Sequence, residues 1–95
     1  MKRYNVFGQS YTVESYYKVD PNCNGATFIN RGDGVAYING IPLAPSPLGA
    51  GFAGESISFG GNKDEIFGGM IDLKFAPGAT VNDVVIVQKF YLDTV

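Results

Sequence analysis

Residues 26–45 read ATFINRGDGVAYINGIPLAP, two apolar runs rich in β-branched and aromatic residues, joined by one turn and closed by Asn39-Gly40. Both central positions of a type I′ turn need φ > 0, which Asn and Gly tolerate best, so Asn-Gly between apolar residues is a strong short-range hairpin signal. The chain is thereby committed to β structure here, and nothing in the segment is catalytic. On this reading residues 26–30 and 35–39 form a hairpin around Arg31-Gly32-Asp33-Gly34, with Phe28 opposite Tyr37 as an aromatic cross-strand pair. Residues 41–44 return after Asn39-Gly40 only as an edge or irregular strand, because Pro42 has no N–H for a ladder.

Period-two alternation recurs along the rest of the chain. Residues 11–19 alternate as one half-buried strand, followed by a turn-rich stretch, Asp20-Pro21-Asn22-Cys23-Asn24-Gly25. Ile57 and Phe59 alternate with Ser56 and Ser58, and Ile71, Leu73 and Phe75 alternate with Asp72 and Lys74. Residues 83–92 start apolar on both faces, so one face of this run must be covered by something. Residues 44–54, APSPLGAGFAG, form a Pro/Gly-rich loop without periodicity that still carries Leu48 and Phe52. The expectation is one all-β domain spanning residues 1–95, a small antiparallel β-sandwich or jelly-roll-like barrel of six to eight strands.

Composition narrows the function classes. The chain has no His, which excludes His-based triads, general bases and metal ligands. Its single cysteine, Cys23, has no partner for a disulfide and no histidine to activate it. Seven Lys and Arg residues spread over 95 positions, with a net charge of −2, do not make a phosphate-binding patch, so no nucleic-acid partner is expected. The N-terminus lacks the apolar core of a signal peptide and no run reaches the ~20 apolar residues of a membrane span, so synthesis in the cytoplasm is expected. Asp20-x-Asn22-x-Asn24-Gly25 matches the first half of a calcium loop, but Arg31 stands where the bidentate Glu belongs, so no metal or other cofactor is expected. Asp64-Glu65 are adjacent in a Gly-bounded loop, which does not make a facing carboxylate pair. The glycine-rich stretches lack phosphate-loop spacing.

Two binding readings remain. Arg31, Gly32 and Asp33 are expected at an exposed hairpin tip, where turn chemistry alone accounts for them. Tyr11, Tyr16, Tyr17, Tyr37 and Tyr91 are strand residues that fill small β cores, or else line a carbohydrate- or receptor-binding face. The few charges, the apolar loop residues and the two-faced terminal strand suggest surface that is buried on assembly, with Leu48, Phe52, Val85 and Val87 at an interface. Alternatively, Val85 and Val87 belong to the second sheet of the monomer's own sandwich.

The stretch INRGDGVAYINGIPLAPSP, followed by ESISFGGNKDEIFGGMIDLKF, resembles a pattern in small structural proteins of bacteriophage virions, over residues 29–75. It departs from that pattern at residues 46–54, which are longer and more apolar than the corresponding loop. The resemblance implies a non-enzymatic capsid, decoration or vertex protein located in the virion. Its implied partners are itself, as a homo-oligomer, and other virion proteins.

Overall fold

The computed structural model describes residues 2–12, 16–19, 22–62 and 64–93. They form eight strands and no helix: β1 (Lys2–Thr12), β2 (Tyr16–Val19), β3 (Gly25–Asn30), β4 (Ala36–Ile38), β5 (Ile41–Leu43), β6 (Ser56–Gly60), β7 (Ile71–Phe75) and β8 (Asp83–Asp93). Two four-stranded antiparallel sheets, ordered β1-β8-β3-β6 and β2-β7-β4-β5, make a small β-sandwich. The pairing is nested: β1 lies beside β8, β2 beside β7, β3 beside β6 and β4 beside β5. The chain is thus one long antiparallel ribbon doubled over at the β4–β5 turn. That turn has Asn39 at φ 49° and Gly40 at φ 82°, the left-handed pair that a type I′ turn requires.

Alternation decides which side chains enter the core. Phe28 and Ala26 of β3 and Val84 and Ile86 of β8 face Ala36 and Ile38 of β4, Leu43 of β5, and Ile71, Leu73 and Phe75 of β7, all buried. Ile57, Phe59, Phe67 and Phe90 pack around this set. Phe28 meets Phe59 edge-on at 5.9 Å, and Phe59 stacks on Phe67 at 5.0 Å. Phe67 is held there by a two-way backbone bridge to Cys23 (2.9 and 2.6 Å), which tacks the β6–β7 loop to the start of β3. Phe28 is fully buried and contributes about 1.5–3 kcal/mol, with partly buried Phe59 and Phe67 adding less each.

Two expectations are corrected. Residues 26–30 and 35–39 are not a hairpin: β3 lies in one sheet and β4 in the other. Phe28 stands opposite Ile57 and Ile86, whereas Tyr37 stands opposite Pro42 and Lys74. The reason is burial. Crossing between layers lets Phe28 and Ile38 bury completely from opposite sides of one core. Residues 11–19 are likewise not one strand, since β1 ends at Thr12 and β2 starts at Tyr16 in the other sheet; residues 13–15 lie outside the described residues.

The β1–β8 pairing runs from Thr12↔Asp83 to Lys2↔Asp93, while β3 leaves β8 at Gly25↔Lys89. Beyond β3 the two strands continue as a ribbon, which helps give the molecule its 50 × 25 × 18 Å proportions. The loops following β3, β5 and β7 gather at one end of the sandwich, tied by backbone bonds among Asn30, Arg31, Asp33, Gly51, Gly54, Val81 and Asp83.

Candidate interaction surface

Asn30 organises that end. Its side chain is fully buried at the last position of β3. Nδ2 donates to the carbonyls of Gly34 and Leu43, both at 2.8 Å, and Oδ1 accepts from the Gly32 amide at 2.9 Å. Its backbone carbonyl also accepts from Gly54 at 2.7 Å. Its side chain therefore ties the crossover to the end of β5 and its backbone carbonyl holds the returning 44–54 loop, with the side-chain amide satisfied on both atoms.

The tripeptide after it is built into this frame. Gly32 is buried, and a methyl group on it would come within 2.4 Å of the Val81 carbonyl oxygen. Arg31 donates from Nη2 to the Gly51 carbonyl at 2.6 Å. Asp33 accepts from the amides of Thr80 (3.0 Å) and Val81 (2.9 Å) and from the Thr80 hydroxyl. The Thr80 hydroxyl first, and the Val81 amide next, hold the Asp33 carboxyl below its usual value. The expectation of an exposed hairpin tip at Arg31, Gly32 and Asp33 is therefore corrected. Arg31 and Asp33 are exposed but braced, Gly32 is buried, and the segment is a crossover between sheets.

The 44–54 loop is closed on itself. Glu55 accepts from the Ala44 amide through Oε1 (2.6 Å) and donates its own amide to the Ala44 carbonyl (2.9 Å). Ser46 Oγ accepts from Leu48 at 3.1 Å, and the Ser46 carbonyl accepts from Gly49 at 3.1 Å. Gly54 is required by close approach, because a methyl there would lie 2.5 Å from the Ala44 oxygen. On this fixed backbone Leu48 is 73% exposed and Phe52 is 52% exposed. Val81, on the adjoining β7–β8 loop, is exposed as well.

Val85 and Val87 are half-buried on the outer face of the first sheet, while Val84 and Ile86 point into the core. Their cross-strand neighbours on β3 are Ile29 and Thr27. Val85 and Val87 are therefore not inside the monomer's own sandwich, and they form a surface separate from the Leu48–Phe52 loop. A half-open hollow of about 230 Å³ lies next to Val87, bordered by Val6, Thr27, Ser58 and Lys89 over Gly25 and Gly60. Its volume is below the ~300 Å³ at which small-molecule sites begin. Exposed Val6, Ile66 and Met70 were not anticipated; isolated apolar residues in a Gly-interrupted strand or loop give no periodic signal.

The other sequence motifs resolve into structural roles where they are described. Asn24 Oδ1 accepts from the Tyr91 amide (2.9 Å) and Nδ2 donates to the Glu65 carbonyl (2.7 Å), so its amide is turned to the fold; Asp20 lies outside the described residues. Among the described residues no three His, Cys, Asp or Glu side chains converge. Cys23 is buried, its Sγ donates to the Gly25 carbonyl at 3.1 Å, and burial pushes its thiol pKa up. Tyr91 donates its hydroxyl to the Gly61 carbonyl at 2.9 Å, with Lys89 Nζ 4.9 Å from its ring centre. The side chains of Tyr11, Tyr16 and Tyr17 lie outside the described residues. Glu65 accepts from Asn62 at 3.2 Å. Among the described residues no helix is long and apolar enough to cross a membrane. In comparison with known proteins, no family model, curated relative or solved structure matches this chain.

Proposed function

We propose that this chain is a non-enzymatic structural subunit of a virus particle, a minor capsid, decoration or vertex protein made in the host cytoplasm and incorporated into the virion. It acts through self-association and through shell contacts made by Leu48 and Phe52, with Val85 and Val87 as a second contact face. The observation that carries this reading is the 44–54 loop. Full burial of Leu48 and Phe52 would contribute about 1.5–3 kcal/mol each, yet both stand outward on a backbone pinned by Glu55, Ser46, Asn30 and Arg31. A loop fixed in this way loses little conformational freedom when a partner covers it, which favours binding.

The connectivity supports the same reading. Nested pairing of β1 with β8, β2 with β7, β3 with β6 and β4 with β5 is the strand order expected of a jelly roll, an architecture common among capsid domains. Fold alone does not assign function, so the argument rests on the loop, with the strand order and the resemblance over residues 29–75 as secondary support.

The test is incorporation. A tagged chain expressed in the producing cells should band with particles on a density gradient, and Leu48→Asp with Phe52→Asp should leave it at the top while its circular dichroism is unchanged. A wild-type chain that never bands with particles, or a double variant incorporated as well as wild type, would contradict the proposal.

A further inference from the structure

The four sheet edges of this sandwich are not alike. β5 has three residues and contains Pro42, β2 has four and contains Lys18, and β6 ends in Gly60 with Gly61 just after it, both at positive φ. Each is blunted in a way that discourages a further strand. β1 is the exception. It runs eleven residues in one unbroken register against β8, and from Asn5 to Thr12 it contains no Pro and no charged residue. Its other side has no strand among the described residues.

The direction of its free amides follows from the ladder. Arg31 donates its amide to the Asp83 carbonyl at 2.8 Å, in register with the β3–β8 pairing. Odd residues of β8 therefore turn their backbone polar groups to β3, and even ones turn to β1. Ile86 faces Gln9 and Phe90 faces Asn5, so odd residues of β1 bond β8. The backbone groups of Tyr4, Val6, Gly8 and Ser10 are left facing the open edge. Consistently, the Val6 amide is met by the side chain of its own neighbour, Asn5 Oδ1, at 2.9 Å.

Gly8 is unexplained within one chain. Glycine in mid-strand weakens a sheet and often marks the close approach of another backbone. Gly25, Gly32 and Gly54 are each required by an atom less than 3 Å from an added methyl, whereas a methyl at Gly8 would meet nothing within 4 Å. Two positions away, Val6 is 52% exposed.

We infer that β1 is a pairing edge on which a second copy of this chain docks by antiparallel strand addition, about a two-fold axis beside Phe7. In that register Val6 of each copy lies opposite Gly8 of the other, an apolar side chain over an open position, and both exchanges are equivalent as two-fold symmetry demands. Each edge-facing amide from Tyr4 to Ser10 meets a carbonyl of the other copy, with Asn5 Oδ1 releasing Val6. Lys2 and Arg3 of the two copies lie at opposite ends of the joint, roughly 30 Å apart at ~3.3 Å per residue, so their like charges do not meet. A parallel arrangement would stack them. The two first sheets become one continuous eight-stranded sheet. The inference deepens the self-association in the reading above by naming its surface; its test uses isolated protein, so that it fails or stands apart from particle incorporation.

The experiment is light scattering of the purified full chain over a concentration series, with Val6→Pro and Gly8→Lys beside it. Val6→Pro deletes an amide that β8 does not use, and Gly8→Lys fills space that is open in the monomer. The wild type should reach twice the 10.2 kDa chain mass, and both variants should stay at the single-chain mass with an unchanged far-UV circular dichroism spectrum. A wild type that remains monomeric, a trimer or pentamer, or a dimer that persists in the folded variants would overturn the inference. Should Val6→Pro unfold, Gly8→Lys decides by the same readout.

Discussion

Asn30 and Asp33 show how single polar side chains fix the loop end. Replacing Asn30 by Ala would leave the Gly32 amide and the Gly34 carbonyl without this partner, at about 1–3 kcal/mol for each group that stays buried and unpaired, while the Leu43 carbonyl keeps its ladder position opposite Ala36. A loss of about 3 kcal/mol or more is expected, read as a lower urea midpoint at unchanged slope. Asp33 makes a pH-dependent contribution. Its carboxyl is held below its ordinary value in the folded chain, so its stabilisation is present above the unfolded-chain value of about 3.9 and is lost as pH falls through the lowered folded value. Urea midpoints followed from pH 5 downward should fall more for wild type than for Asp33→Asn, which lacks the titrating group. A parallel decline in both would show that Asp33 does not contribute to acid sensitivity.

Strands carry the next level. β8 presents Val84 and Ile86 to the core and Val85 and Val87 to the outer face. Val84→Asp buries a charge without a partner and should abolish folding. Val85→Asp should cost on the order of 1 kcal/mol and keep the fold, because half-buried outer-face positions tolerate such changes. Circular dichroism and thermal melts of the pair give the comparison, and equal damage would mean that Val85 also points inward. Strict alternation made β7 legible from sequence, a run apolar on both faces made β8 legible, and Asn39-Gly40 made the β4–β5 turn legible. The β3–β4 relation was not, because Arg31-Gly32-Asp33-Gly34 suits a hairpin and a crossover equally. What decides between them is Asn30's reach to Leu43 and the burial of Phe28 and Ile38 from opposite layers, both non-local. β1 was hidden because Gly8 interrupts its apolar pattern. The exposure of Leu48 and Phe52 was legible as apolar residues in an aperiodic loop, but the bracing that fixes them depends on the Glu55 and Arg31 side chains and the Asn30 backbone carbonyl meeting the loop only in the folded state.

At the scale of the whole molecule, β4–β5 is the one strand pair adjacent in sequence among the described residues, and every other pairing joins distant segments. Non-local sandwiches fold in milliseconds to seconds, and a local turn formed early lowers the entropy lost in closing the rest. Gly40 at φ 82° should therefore be a kinetic position. Gly40→Val is expected to slow refolding in stopped-flow by most of its equilibrium destabilisation, whereas a variant that only speeds unfolding would mean the turn forms late. The same doubled ribbon places the β3, β5 and β7 loops at one end and presents Leu48 and Phe52 beyond the sheets. The central claim is that this braced loop is covered by a second polypeptide in an assembled particle. The most direct measurement puts a photoreactive phenylalanine analogue at position 52, irradiates purified particles and identifies the adduct by mass spectrometry. The account predicts a cross-link to another virion protein or another copy of this chain. Incorporation into particles with cross-links confined to residues of the same chain would contradict it.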